Sequence, residues 1–247
     1  FMDAVLLGND LVIVGAQYQR SPGGIISLAE RPILSPKDLV GCRFLGQDGV
    51  ETIVNAVLTM ADLPIDYEYF PAGYSVAALV EGQGDAYSAF AVNQPITLQT
   101  EYGMEEGKDF FFTSWAELGL AGYANMMFCQ RKFLEAEFDT VVGFLRATIK
   151  GWLYNAKDPK FAPELVVNGP GRDLGLEIDQ QLIQNEIQLE YMQSALTEEK
   201  GIFWIDPAEV ERSMYPSLRA TGRTNLPPAT EIFDTRALQS AYKEISV

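Results

Sequence analysis

Strand and helix patterns alternate through the first half of this chain, with short connections between them. Apolar runs typical of buried strands lie at 11–16, 25–28, 42–45, 67–70, 85–91 and 110–113. Helical patterns lie between them at 35–39, 50–61, 74–81 and 95–102. A chain needs a crossover, usually a helix, to re-enter a sheet in the same direction. The alternation therefore predicts an α/β fold with a parallel sheet.

The second half of the chain is dominated by helical patterns. Predicted helices cover 137–155, 160–167, 178–196, 207–221 and 235–245. Asp158-Pro159 separates the first two, because proline cannot continue a helix. We expect these helices to pack around one part of the sheet system.

Charge and histidine content exclude several classes of function. The chain carries 18 basic and 34 acidic residues, a formal net charge of −16. Binding of nucleic acid requires clustered Lys and Arg to neutralise phosphates, and this composition argues against it. No residue is a histidine, so a Ser-His-Asp or Cys-His arrangement and a histidine metal ligand are excluded within this sequence.

Two widely spaced cysteines, Cys42 and Cys129, make neither a zinc site nor a disulfide framework. Both lie in apolar segments typical of strands, which favours buried free thiols. A single bridge between them stays open at this stage.

Five segments occur in an order that resembles a known family. They are Gly15-Ala16-Gln17-Tyr18-Gln19-Arg20-Ser21-Pro22, Ser35-Pro36-Lys37-Asp38-Leu39-Val40-Gly41, the stretch from Gly73-Tyr74 to Tyr87, Asn93-Gln94-Pro95, and Phe144-Leu145-Arg146-Ala147 with Gly151-Trp152. Together they resemble the substrate-binding proteins of ABC importers in the thiamine-pyrimidine-precursor and sulfonate-binding family. The thiamine-pyrimidine and riboflavin branches are the most similar.

The resemblance implies a type II periplasmic binding protein fold, in which two α/β lobes joined by two crossing strands enclose a ligand cleft. It places residues 1–41 and 114–247 in lobe 1 and residues 42–113 in lobe 2. In that family two or three further strand–helix units precede the position of Phe1. We therefore expect the N-terminal part of lobe 1 to be missing from this sequence.

The function implied by the resemblance is that of a solute-binding component of an ABC importer and not of an enzyme. The expected solute is a small heteroaromatic vitamin precursor of the hydroxymethylpyrimidine type, with riboflavin as the alternative. The expected partner is an ABC permease in the membrane, and the protein is expected to be a monomer that needs no cofactor or metal. Its expected location is periplasmic or extracellular and membrane-anchored, with the signal or anchor outside this numbering.

Two other classes remain as alternatives. A ligand-sensing domain of a regulator would share the fold. Some relatives synthesise the thiamine pyrimidine, but they use a histidine as a reactant and a cysteine-rich motif, both of which this sequence lacks.

Candidate binding residues lie in loops that follow the predicted strands, where parallel sheets bind ligands. These loops combine aromatic faces with amides and carboxylates, a set that suits a flat heteroaromatic ring. The candidates are Gln17, Tyr18, Arg20, Gln47, Asp48, Tyr74, Phe90, Asn93, Trp115, Glu117 and Tyr123. Arg20, the one cation among them, suits either an anionic ligand group or a structural salt bridge to an acidic neighbour.

Overall fold

Two β-sheets organise the chain in the computed structural model, which describes residues 1–245. The strands are β1 Leu11–Tyr18, β2 Gly23–Leu28, β3 Arg43–Gly46, β4 Glu68–Pro71, β5 Ala86–Phe90, β6 Phe110–Ser114 and β7 Ala124–Gln130. The helices are α1 Met2–Leu6, α2 Val50–Met60, α3 Ala77–Val80, α4 Gln94–Thr100, α5 Arg131–Ala136, α6 Phe138–Lys157, α7 Phe161–Asn168, α8 Ile178–Tyr191, α9 Ala195–Lys200, α10 Pro207–Glu209, α11 Tyr215–Ala220, α12 Ala229–Ile232 and α13 Arg236–Lys243. A π-helical turn, Val210–Met214, joins α10 to α11.

The larger sheet has five strands in the order β4-β3-β5-β2-β6. Strand β3 runs parallel to β4 and β5, as the sequence predicts, whereas β2 runs antiparallel to β5 and β6. The prediction of a wholly parallel sheet was therefore wrong for β2. Only one short 3₁₀ turn, Pro36–Leu39, separates β2 from β3, so the chain starts β3 at the edge where β2 ends. The later strands alternate with α2, α3 and α4, and these helices return the chain to the starting edge.

The smaller sheet pairs β1 with β7 in antiparallel orientation. The opposite edge of β1 is also used, because the Ala16 amide donates to the Phe203 carbonyl and the Asp234 amide donates to the Ile13 carbonyl. Helices α6 and α13 cover one face of β1 and bury Val12 and Val14 completely or nearly so. The helix-rich second half thus packs around the smaller sheet, as the sequence predicts.

Strand pairing bears on where one lobe ends and the other begins. The sequence-based division places residues 23–41 in lobe 1, yet β2 lies inside the five-stranded sheet. We therefore propose that the crossings lie at 19–22 and 115–123, so that β2 to β6 form one lobe. The reason for the difference is that β1 and β2 look alike as apolar runs, and only their long-range partners distinguish them.

Two predicted helices are shorter than their apolar patterns. The helix predicted at 74–81 begins at Ala77, whose amide donates to the Ser75 hydroxyl. The helix predicted at 178–196 ends at Tyr191, and α9 starts afresh at Ser194. There the Ser194 hydroxyl accepts from the Thr197 amide and the Ser194 amide donates to the Thr197 hydroxyl. Such a reciprocal cap satisfies the free donors of a new helix start and interrupts the longer one.

The two cysteines are free thiols, with Cys42 buried and Cys129 partly buried. Burial raises the pKa of the Cys42 thiol to about 11, against a smaller lowering effect of Arg31. Within residues 1–245, no helix combines the length and the apolar character needed to cross a membrane.

Asp85 anchors the edge of the larger sheet that lies opposite the strand carboxyl ends. Its carboxylate accepts from the Arg31 guanidinium at 2.7 Å, the Arg43 guanidinium at 2.8 Å and the Arg43 amide at 2.8 Å. Burial alone raises the pKa of Asp85, but these hydrogen bonds and the two positive charges outweigh burial and hold the pKa below its usual range. The residue therefore stabilises the fold in its charged form.

We expect Asp85→Asn to lower the free energy of unfolding at pH 7 by about 1 to 3 kcal/mol, because a partly buried charged acceptor of three hydrogen bonds is lost. The folded-state pKa lies below the unfolded one, so the contribution is complete above the unfolded pKa and disappears as the pH falls through the folded pKa. Urea titrations from pH 7 down to pH 3 should show the two proteins converging. Asp66→Asn, at an exposed carboxylate of the same lobe, should change stability by less than about 0.5 kcal/mol. A constant difference across this pH range would contradict the role given to Asp85.

Candidate functional site

The carboxyl ends of β3, β4, β5 and β6 lie at one edge of the larger sheet, together with the first residue of β2. Gln47 ties these ends together from the residue after β3. Its side-chain amide donates to the Gly73 carbonyl and the Tyr87 hydroxyl, both at 3.0 Å, and its side-chain oxygen accepts from the Ser88 hydroxyl. The Tyr87 hydroxyl in turn donates to Gly73 at 2.6 Å. This network fixes the loops at the edge where a ligand would enter.

The loop after β5 is held from within by Gln94. This side chain is 2 % exposed; its oxygen accepts from the Phe90 amide at 2.9 Å and its amide donates to the Tyr74 carbonyl at 3.4 Å. The rings of Tyr74 and Phe90 themselves point outward, 73 % and 43 % exposed. Both aromatic faces are therefore available to a partner or ligand.

Lobe 1 presents a stacked pair, Arg20 on Tyr191, toward this edge. The Arg20 guanidinium carbon lies 4.5 Å from the centre of the Tyr191 ring, and Tyr18 packs edge-on against the same ring. Gln19 positions the pair, because its amide nitrogen donates to the Tyr191 carbonyl and its side-chain amide donates to the Trp204 carbonyl. Arg20 itself is exposed.

Two carboxylates, Glu106 of lobe 2 and Glu117 of the crossing segment 115–123, lie in electrostatic reach of Tyr191. Burial is the main cause that raises the pKa of Tyr191; Arg20 lowers it, and the negative charges of Glu117 and Glu106 add to the rise. Burial and the charge of Glu117 raise the pKa of Glu106, although its side chain reaches solvent. Glu117 is exposed and accepts from the Ser114 amide and hydroxyl, which fixes its direction.

The two lobes also touch directly at the other end of α8, which begins at Ile178 and ends at Tyr191. The side-chain amide of Gln180, near the start of α8, donates to the side-chain oxygen of Asn93 at 3.2 Å and to the Thr97 hydroxyl at 3.4 Å. On another side, α2 packs against α11. We use the name interlobe site for Arg20, Tyr191, Glu106, Glu117, Asn93 and Gln180. It offers an aromatic face, two carboxylates, two amides and one exposed cation.

The predicted site residues divide into groups once they are placed in the fold. Arg20, Asn93 and Glu117 lie in the interlobe site, and Asp48, Tyr74 and Phe90 are exposed near the same sheet edge. Gln17 lies on β1, where its oxygen accepts from Asn125. The binding roles of these residues stay predictions.

The other predicted site residues are engaged in packing or in local networks. Tyr18 is 4 % exposed, and burial raises its pKa to about 12. Trp115 is 7 % exposed and lies against Gly23, whose missing side chain leaves room for the indole. Tyr123 is 8 % exposed and its hydroxyl accepts from the Asp206 amide. The side-chain amide of Gln47 already donates to the Gly73 carbonyl and the Tyr87 hydroxyl at the sheet edge.

Sequence reasoning missed Tyr191, Glu106 and Gln180. Tyr191 is the last residue of α8 and reads as one more apolar position of that helix, while Gln180 reads as a polar surface residue. Nothing local marks either one, because their role depends on Arg20 and Asn93, which lie far away in the sequence. Within residues 1–245, no cluster of three or more Cys, Asp or Glu side chains is arranged to hold a metal ion.

Comparison with known families decides the relationship that this geometry leaves open. Residues 2–162, about two thirds of the chain, match the family model described as NMT1/THI5 like. The chain belongs to the NMT1/THI5-like family. A curated relative from Legionella pneumophila, named 4-amino-5-hydroxymethyl-2-methylpyrimidine phosphate synthase, is 27 % identical over 163 residues, which are 64 % of this chain and 51 % of that protein. The chain thus spans about half the length of the curated relative that it matches.

Solved structures show which fold this NMT1/THI5-like chain has. A ligand-binding component of an ABC-type import system from Staphylococcus aureus aligns with a TM-score of 0.63 and 13 % identity, over 99 % of this chain and 77 % of that one. The periplasmic aliphatic sulphonate binding protein of Escherichia coli aligns with a TM-score of 0.62 and 16 % identity, over 94 % and 71 %. The α/β type II periplasmic binding protein fold with two lobes and a cleft is thereby confirmed. The expectation that further units precede Phe1 stays a prediction.

Proposed function

We propose that this protein is the solute-binding component of an ABC importer and that it binds a small, flat, nitrogen-containing heterocycle in the interlobe site. The observation that carries the proposal is the Arg20–Tyr191 stack, with the negative charges of Glu106 and Glu117 within electrostatic reach of Tyr191. A guanidinium is a planar, delocalised group with N–H donors at its edge. An aminopyrimidine has the same features, so it would fit the same face of Tyr191 with its amino group directed at the carboxylates.

The charge of the site favours a neutral or cationic ring over an anion. The interlobe site contains two carboxylates and one cation, and the whole chain carries a net charge of −16. A sulfonate or nitrate would have to approach this negative field, which disfavours it. The Legionella relative is named for a hydroxymethylpyrimidine phosphate, and this supports a pyrimidine of that kind as the first candidate.

Binding would proceed by closure of the lobes. In this proposal Arg20 moves off Tyr191 as the solute stacks there, and the Gln180–Asn93 hydrogen bond holds the lobes together at the other end of α8. The closed form would then dock on a membrane permease, with the protein as a monomer outside the cytoplasm. Riboflavin is the alternative solute, and a sensor domain is the alternative setting for the same cleft.

The named activity of the Legionella relative raises an enzymatic alternative. The resemblance to relatives that synthesise the pyrimidine implies a histidine as a reactant, and none of the 247 residues here is a histidine. The interlobe site instead presents groups that bind a ring and lacks a nucleophile placed beside a base. Binding without turnover is therefore the proposal that these residues support better.

We expect 4-amino-5-hydroxymethyl-2-methylpyrimidine to raise the melting temperature, while riboflavin, taurine and nitrate do not. A ligand at about a hundred times its dissociation constant adds about 2.7 kcal/mol to the free energy of unfolding. Tyr191→Ala should weaken binding about tenfold or more in isothermal titration calorimetry, because the stacking face is lost. Tyr102→Ala, at an exposed tyrosine of lobe 2, is the matched control and should bind as the parent does. If a folded protein binds no heterocycle, or if Tyr191→Ala binds as tightly as the parent, the interlobe proposal fails.

A further inference from the structure

A second cavity lies in the helical part of lobe 1, between α6, α7 and α8. Its volume is about 440 Å³, within the range of small-molecule sites. None of its lining residues belongs to the interlobe site. Gln180 reaches lobe 2 from the start of α8, whereas Gln181, Gln184 and Gln188 repeat at helical spacing along the cavity side of that helix.

Carboxamides are the main polar groups in the lining of this cavity, whose surface is otherwise mostly apolar. It contains five of them and one tryptophan: Asn155, Gln181, Gln184, Asn185, Gln188 and Trp152. In the described part of the chain, no charged side chain contributes to the lining, although 21 % of all residues are charged. A cavity of this size without a charge in so acidic a protein disfavours both cationic and anionic ligands, because either would lose hydration without gaining a counter-charge.

Two of the carboxamides form a rigid base. Asn155 and Asn185 are 6 % and 8 % exposed, and each side-chain nitrogen donates to the oxygen of the other, at 2.8 and 3.1 Å. Asn185 also donates to the Pro159 carbonyl at 2.8 Å. Since a primary amide has two N–H groups and an oxygen with two lone pairs, Asn155 retains one donor and both oxygens retain acceptor capacity. The hydrogen bonds within the pair fix the orientation of both side chains, so their remaining donor and acceptors are positioned to hydrogen-bond with hydroxyl groups of a ligand.

We propose that this cavity binds an uncharged sugar. Sugar hydroxyls both donate and accept hydrogen bonds, as carboxamides do, and a pyranose ring has an apolar C–H face that packs on an indole. Asn155 and Asn185 pair with each other, and the Gln181 side-chain amide donates to the Gln184 side-chain oxygen at 3.2 Å. Sugar hydroxyls can pair the donors and acceptors that these amides have left, whereas an aliphatic ligand would cover them without pairing them. The proposal does not depend on which solute occupies the interlobe site.

Gly151 supplies a test that does not endanger the fold. It lines the cavity from α6, and a side chain built on it meets no atom within 4 Å, so a larger side chain can be placed at the cavity mouth without a clash. Gly151→Leu should therefore block the cavity while improving helix propensity. Gly143 lies on the same helix, has the same free space and does not line the cavity, which makes Gly143→Leu the matched control.

The experiment is isothermal titration calorimetry of the full chain with glucose, galactose, mannose and maltose, and with glucuronate and glucosamine as charged counterparts. We expect at least one neutral sugar to bind with a dissociation constant near or below about 1 mM, and Gly151→Leu to weaken that binding at least about tenfold. Gly143→Leu and Tyr191→Ala should bind the sugar as the parent does. The proposal is overturned if no neutral sugar binds, if Gly151→Leu binds unchanged, or if Tyr191→Ala removes sugar binding and so places the sugar in the interlobe site.

Discussion

Phe44→Ala is expected to lower the free energy of unfolding by about 3–5 kcal/mol, as large aromatic truncations in cores do. Phe44 is fully buried on the central part of the larger sheet. Its ring stacks on Tyr69 at 6.2 Å between centroids and meets Tyr67 edge-on at 6.3 Å. The cavity left by an alanine would lie under α2, whose Val54 and Val57 pack in the same cluster. Little around it is free to collapse, because both sides are built of regular elements.

Urea-induced unfolding, followed by far-ultraviolet circular dichroism, measures this effect. Phe70→Ala is the matched control. Phe70 lies on the adjacent strand β4, where it pairs with Leu45 of β3, but its side chain is 40 % exposed. We expect it to cost less than about 1 kcal/mol. Equal losses in the two variants would show that the larger sheet lacks the tightly packed centre described here.

Local spacing predicted most elements of the fold because helices and strands leave periodic traces. The strand–helix order from β3 to β6 and the long helix α6 follow directly from such patterns. Strand direction was not predictable for β2, because it depends on whether the following connection contains a helix long enough to cross the sheet. The segment Pro36–Leu39 has the sequence pattern of a helix start. In the structure it is a 3₁₀ turn that is too short to carry the chain back across the sheet.

The candidate site was predictable at the level of loops and less so at the level of side chains. Residues after strand ends do lie at one edge, as Gln47, Asn93 and Glu117 illustrate. Whether such a residue is free to bind depends on its long-range partners, and Gln47 is occupied by Gly73 and Tyr87. Tyr191 illustrates the reverse case, since its role exists only because Arg20 lies over its ring.

The sheet edge and the interlobe site differ in how far their side chains are already held by hydrogen bonds within the protein. Gln47, Gln94 and Ser88 use their hydrogen-bonding capacity within lobe 2, so the edge is rigid before any ligand arrives. Arg20 is exposed and able to exchange partners, whereas Glu117 is exposed but oriented by its hydrogen bonds with Ser114. A rigid frame with an exchangeable charged group suits a binding protein, because pre-organisation lowers the entropic cost of binding.

The second large expected effect concerns Gly201, which connects α9 to the segment that supports the site. Its backbone has φ 103° and ψ 162°, a region that is essentially restricted to glycine. A side chain there would also overlap the ring of Tyr242, whose hydroxyl donates to the Ile202 carbonyl at 3.0 Å. We expect Gly201→Ala to lower the free energy of unfolding by about 2–4 kcal/mol, from backbone strain and overpacking together.

Strain at Gly201 should reach the interlobe site as well. The next residues hold β1 and its exit loop, because the Phe203 carbonyl accepts from the Ala16 amide and the Trp204 carbonyl accepts from the Gln19 side chain. Gln19 precedes Arg20, so Gly201→Ala is expected to weaken heterocycle binding in calorimetry even where the protein remains folded. Gly143→Ala on α6, in open space within a helix, should instead stabilise the protein by about 0.5–1 kcal/mol and leave binding unchanged. A Gly201→Ala protein as stable as the parent would mean that the 201–204 segment does not hold β1 in place.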